Sequence, residues 1–217
     1  MPSAPFIVDS AGFARLTARA GEIFCADRRL PEQVFRSGFK DFAFLEFDVL
    51  LFREFWDVLA DCARSCGDED ISVIVHEPDP EAYYFGNFQR YGVLDFERNA
   101  TATEYKQAFL AEPENSPADA LQYVASVISW SGSSREWGFW GERDFGVAIA
   151  AKRNANMSWP EVAGVSLFDL DTAVESFIAP NFEDEKIPQE FLAKLRRNFA
   201  NARNKCDGVI AKSGDHA

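Results

Sequence analysis

The stretch YVASVISWSGSSREWGFWGERDFGVAIAA, residues 123–151, decides the fold class. Its β-branched and aromatic runs centre on Ile128, Phe139 and Val147, and each is short enough to be a single strand. Ser131-Gly-Ser-Ser134 separates the first two runs, and Gly141-Glu-Arg-Asp144 leads into the third as a hairpin connection. Strands joined by turns this short run antiparallel, so the segment predicts a meander.

Upstream, Ile71, Val73 and Val75 predict another strand, which stops at Pro78-Asp79-Pro80. Residues 83–88 and 93–96 predict two more around Gly92. Helices flank these strands. Residues 10–25 carry Phe13, Leu16, Ala20, Ile23 and Phe24 at helical spacing. Leu45, Phe52, Phe55, Trp56, Leu59, Cys62 and Cys66 form a second apolar stripe, which Gly67 stops. Between these two helices the Phe-rich stretch with Phe35, Phe39, Phe42 and Phe44 follows neither period clearly. Thr101 and Glu104 have capping-box spacing ahead of a helix through Leu110, and Ser116-Pro117 opens another. Helices over 170–177 and 188–203 complete the pattern. Strands cluster between helical flanks without alternating β-α-β units. That predicts an α+β fold, a mostly antiparallel sheet of about five to six strands flanked by helices. No linker or repeat divides the chain, so residues 1–205 are expected as one domain and residues 206–217 as a frayed tail.

Lys and Arg number 22 against 35 Asp and Glu, a net charge of −13. Such a field repels phosphate backbones and anionic membrane surfaces, which argues against nucleic acid and membrane as partners. It steers in a basic protein partner, and it also serves plain solubility. The most apolar stretch is too short to span a bilayer and no signal peptide is recognised, so a cytoplasmic location is expected. Cys25, Cys62, Cys66 and Cys206 form no disulfide framework. Cys62 and Cys66 share a helix face, but no nearby ligand completes a metal set; no metal site and no cofactor is expected.

Phosphate-binding loops, dinucleotide fingerprints and nucleophile elbows are missing from the sequence. Of the two histidines, His216 is next to the C-terminus, so imidazole chemistry rests on His76 at the end of a predicted strand. With Asp95 and Glu97 on a nearby strand, His76 forms a candidate catalytic set for a hydrolase or metal-dependent phosphoesterase. Strict alternation would put His76 and Glu77 on opposite faces, and no residue is specifically placed as a nucleophile. A histidine at a sheet margin making ordinary hydrogen bonds accounts for the same residue.

Candidate binding residues are more numerous. Trp137-Gly-Phe-Trp140-Gly-Glu-Arg-Asp144 reads as a recognition surface if Trp140 and Arg143 point outward while Trp137 and Phe139 fill the core. The alternative is that all three rings are core and Arg143 bridges Glu142 or Asp144 across the turn. Tyr83 and Tyr84, beside Glu77, Glu81 and Asp95, suit the docking of a basic protein surface or a solvated sheet edge.

Ser116-Pro-Ala-Asp119, then Trp130, then Ser134-x-x-Trp137-Gly-Phe-Trp140-Gly-Glu-Arg-Asp144 ahead of an apolar strand, resembles uncharacterised bacterial proteins of the immunity type. The resemblance covers roughly residues 70–150. Those proteins are small, acidic and α+β, several carry a Trp-Gly motif in the sheet, and they neutralise toxins delivered by rival cells. The resemblance implies a protein-binding module that blocks a toxin, and it carries over no binding residue by position. Two alternatives stand beside it. One is the enzyme built on His76. The other is a structural or oligomerising domain with the aromatic stripe near Phe52 and Trp56 as its interface.

Overall fold

The computed structural model describes residues 6–113, 116–154 and 156–200. Cys206, His216 and the tail expected over 206–217 lie outside these residues. Six strands make one antiparallel sheet: β1 (Asp41–Glu46), β2 (Asp70–Glu77), β3 (Val93–Glu97), β4 (Val127–Gly132), β5 (Trp137–Glu142) and β6 (Val147–Lys152). Their order across the sheet is β1-β6-β5-β4-β2-β3. The α-helices are α1 (Ser10–Gly21), α2 (Phe55–Cys66), α3 (Gly86–Phe88), α4 (Ala102–Leu110), α5 (Leu121–Val124), α6 (Leu170–Ala173) and α7 (Gln189–Phe199). This is the α+β architecture expected from the sequence.

The meander β4-β5-β6 forms where the sequence places it. Gly146 turns the chain into β6 with a φ of 62°, a left-handed conformation that favours glycine. β1 then closes on β6, in register from Asp41↔Lys152 to Glu46↔Val147. The sequence shows no clear period here because β1 is buried on both faces, and Phe42-Ala-Phe-Leu45 reads as one apolar run. Leu45 therefore belongs to a strand and not to the helical stripe, which begins at Phe55.

Residues 83–88 are a second departure. They lie in a π-helical turn, Pro80–Phe85, followed by α3, and form no strand. Asp79 Oδ1 accepts from the backbone N–H groups of Glu81 and Ala82 at 2.9 and 2.6 Å, and Pro80 occupies the first turn. This helix-start signal outweighs the strand preference of Tyr83-Tyr84-Phe85.

Helices cover both faces of the sheet. On one face α2 and α4 press Phe55, Leu59, Tyr105 and Phe109 onto Val73, Trp130 and Phe139. Phe55 meets the rings of Trp130 and Phe139 edge-on at 5.7 and 5.1 Å. On the other face α1, the segment after it and α7 bring Leu16, Phe24, Phe35 and Phe199 over Ile74, Trp140 and Ile149. The glycines of the Trp-Gly-Phe-Trp-Gly strand admit this close approach. A Cβ on Gly138 would lie 2.7 Å from the Phe24 ring, and one on Gly141 would lie 2.6 Å from Leu50.

Both sheet edges are closed by short segments. Phe44 and Phe168 exchange backbone hydrogen bonds of 2.9 and 2.7 Å along β1. Beside β3, Ile7 N–H donates to the Val93 carbonyl at 3.0 Å, and Tyr91 N–H donates to the Ile7 carbonyl at 2.9 Å. An edge paired in this way is a poor template for another chain.

Asp68 holds the β4–β5 hairpin to the end of α2. It follows Gly67, the left-handed cap of that helix, and is 1% exposed. Its carboxylate accepts from Trp137 Nε1 at 2.8 Å, from Ser133 Oγ at 3.3 Å and from the Ser134 backbone N–H. A Cβ on Gly132 would collide with the same carboxylate. Replacing Asp68 by Ala strands the buried indole and amide donors, and is expected to cost about 3 kcal/mol in urea denaturation. A loss below about 1 kcal/mol would show that the turn is held by other contacts.

Candidate functional site

β2 and β4 pair in register from Ile71↔Gly132 to Val75↔Ile128, and then shift so that Glu77 opposes Val127. His76 is the extra residue of this β-bulge, a device that re-aims side chains. The alternation expected for His76 and Glu77 is broken at this point. Both turn toward the α1 side of the sheet, where His76 meets Trp140 and Glu77 meets Arg29.

His76 Nε2 pairs with Ser129 Oγ at 2.9 Å, either partner donating, and the imidazole stacks on Trp140 with centroids 4.7 Å apart. The Arg29 guanidinium lies 5.8 Å from the same indole. Arg29 Nε and Nη2 donate to Glu77 Oε1 at 3.0 and 2.6 Å, while Nη1 donates to the carbonyls of Ala26 and Arg28 at 2.9 and 2.7 Å. Burial, helped by the positive charge of Arg29, pulls the His76 pKa down to about 3, so the ring is neutral at physiological pH. Beneath it Glu142, 3% exposed, accepts from Trp140 Nε1 and from the Leu30 backbone N–H, both at 2.8 Å. Burial raises the Glu142 pKa, against the pull of these two bonds.

Over His76 opens a cleft of about 550 Å³ between the end of α1, the chain that follows it and the end of β2. Its floor is Phe24, Ile74 and His76; Asp27, Arg29 and Arg36 line its rim. The distance between His76 and Ser129 is that of a base and a nucleophile, but Ser129 is 2% exposed. Among the described residues no carboxylate bonds the other imidazole nitrogen. The contact joins two strands and presents no hydroxyl to a substrate.

The acidic residues paired with His76 in the sequence reading lie elsewhere. Asp95 opposes Ser72 and Glu97 opposes Asp70, toward the other end of β2. Asp95 accepts from Arg15 Nη2 at 2.9 Å and faces Arg19 at 4.0 Å; Arg19 meets Asp70 at 2.5 Å. Among the described residues no three His, Cys, Asp or Glu gather in a metal-binding group.

The expected binding residues are redistributed as well. Trp140 is fully buried because each sheet face carries a helical layer and no outward face remains. Tyr84, in the π-helical turn, is fully buried against Tyr83, Phe88 and Gly92. Tyr83 donates its hydroxyl to the Asp119 carboxylate, and Glu77 is held by Arg29. Glu81 is exposed. Arg143 bridges neither Glu142 nor Asp144. Instead it donates to the Ala125 and Gln122 carbonyls at 3.0 and 2.9 Å, faces Asp48 at 3.8 Å and covers the Phe47 ring.

A surface of which the sequence reading singled out only Phe52, as part of an oligomerising stripe with the buried Trp56, lies beside Arg143 on the α2 and α4 side. Phe52 is 49% exposed, Leu110 39% and Tyr123 60%. Lys106 ties their supports together, its Nζ donating to the Leu51 carbonyl at 3.1 Å and to Gln122 Oε1 at 2.5 Å. Leu110 stands one turn beyond Lys106 on α4, on the same helix face. The sequence signal was Phe52 itself, but the helical stripe grouped it with the buried Phe55. The chain leaves the 3-10 turn Phe47–Leu51 in extended conformation at Phe52, and α2 starts three residues later.

The neutral imidazole has a measurable consequence. Below about pH 6.5 the unfolded chain protonates His76, whereas the folded chain resists until about pH 3, so its contribution to stability is lost as pH falls through that window. Glu142 works in the opposite sense, because its raised pKa favours the fold as pH falls toward its ordinary value. Comparing the wild type with His76→Gln isolates the histidine. The stability advantage of the wild type over the variant is expected to shrink between pH 7 and pH 5, by up to about 1.4 kcal/mol per pH unit. A difference independent of pH would contradict a neutral, buried ring. Comparison of the chain with protein-family models, with curated proteins and with solved structures finds no match.

Proposed function

We propose that this chain is a protein-binding module whose contact surface centres on Phe52, Leu110 and Tyr123. The observation that carries the reading is that Lys106 ties together the segments bearing the exposed Phe52 and Tyr123, one helical turn from the exposed Leu110. Single exposed hydrophobes are ordinary on a protein surface, whereas a group that includes a tyrosine and lies beside an arginine has the composition of a contact patch. Lys106 and Arg143 are anchored to backbone carbonyls, so the patch is organised before any partner arrives. The net charge of −13 favours a basic partner by accelerating encounter. The resemblance to immunity-type proteins supports a toxin as that partner.

The test pairs capture with disruption of the patch. A basic protein held stoichiometrically by the wild type is expected to bind the Phe52→Ser/Tyr123→Ser variant at least about 30-fold more weakly, with an unchanged melting temperature. Equal affinity would remove the patch from the interface. A wild-type solution mass at a multiple of 24.4 kDa that reverts to one chain in the variant would make the surface a self-association face instead.

A further inference from the structure

We infer that the cleft over His76 binds a small zwitterion, an α-amino acid with an apolar side chain. The cleft lies on the α1 side of the sheet, away from the α2 and α4 surface proposed for protein contact, and its volume of about 550 Å³ is that of a small-molecule site. Its charged residues divide into two kinds. Arg29 is consumed by Glu77 and two carbonyls, and Asp79 caps its own helical turn. Arg36 and Asp27 are not consumed. Arg36 Nε donates to the Gly21 carbonyl at 3.0 Å, which fixes the guanidinium at the end of α1. Among the described residues its two Nη groups have no partner, and Asp27 has neither hydrogen bond nor ion pair.

Two opposite charges on one rim, not paired with each other, suit a ligand that carries both. The two unpartnered Nη groups of Arg36 match a carboxylate, and Asp27 matches an ammonium. In the same cleft Phe24, Ile74 and Ala20 offer apolar lining for a side chain. The second nitrogen of His76 supplies one hydrogen bond, with no charge that would repel the ammonium.

Calorimetry and thermal shift with L-phenylalanine and L-leucine test the assignment, using N-acetyl-L-phenylalanine, phenethylamine and glycine as controls. At least one of the two amino acids is expected to bind saturably and raise the melting temperature. Each control lacks one element and is expected to bind at least about tenfold more weakly. Arg36→Gln and Asp27→Asn are each expected to weaken binding about tenfold or more without changing the unliganded melting temperature. Absence of saturable binding of either amino acid at millimolar concentration would overturn the proposal. So would N-acetyl-L-phenylalanine binding as tightly as L-phenylalanine, or undiminished binding by both variants.

Discussion

The carboxylate of Asp68 joins the end of α2 to a tryptophan sixty-nine residues further along the chain, and the central hairpin is seated by that bond. A sheet covered on both faces excludes water from its polar side chains, and burying one without a partner group is costly. Asp68 answers the indole of Trp137 and the turn before it. Glu142 answers the indole of Trp140 and the backbone of Leu30. Arg19, 8% exposed, lies between Asp70 and Asp95 and pins α1 to β2 and β3. These polar contacts occur where a helix or loop must be held at one position along the strands, a constraint that apolar packing alone enforces loosely.

Much of this architecture was legible in local signals. The meander declared itself because its turns are rich in Ser and Gly and its strands in β-branched and aromatic residues. The capping box of Thr101 and Glu104 was equally plain, and both of its reciprocal bonds are present. β1 was illegible for a physical reason: a strand buried on both faces has no polar face, and period two vanishes. The bulge at His76 was hidden more deeply, since it exists only as a register shift between β2 and β4. Inferring a side-chain direction from alternation failed at the one place where the alternation is interrupted.

The candidate sites show the same division. Trp140 and Tyr84 are the residue types that binding surfaces favour, yet both are core, because the aromatic content of this chain is spent on filling two layers. Phe52 was grouped with the buried helical stripe and Tyr123 with the strand that follows it. Their exposure follows from the extended residue after a 3-10 turn and from the short helix α5, which sequence periodicity does not describe. The Trp-Gly-Phe-Trp-Gly strand, the most distinctive stretch of the chain, records packing: two glycines mark where Phe24 and Leu50 touch the sheet. Distinctive composition identifies the most constrained part of this molecule, and the proposed contact surface and cleft lie at its margins.

The pairing of β1 with β6 has a consequence for synthesis. On a ribosome, residues 41–46 emerge about a hundred residues before their partners at 147–152. During that interval Phe42 and Phe44 have no strand to lie against, and α2 can form but has no sheet to cover. The nascent chain therefore carries an aromatic, unpaired strand while about a hundred further residues are added, a state that attracts chaperones and nonspecific contacts. The Phe168 segment that pairs with the outer side of β1, and Phe199, which packs on Phe42, arrive later still.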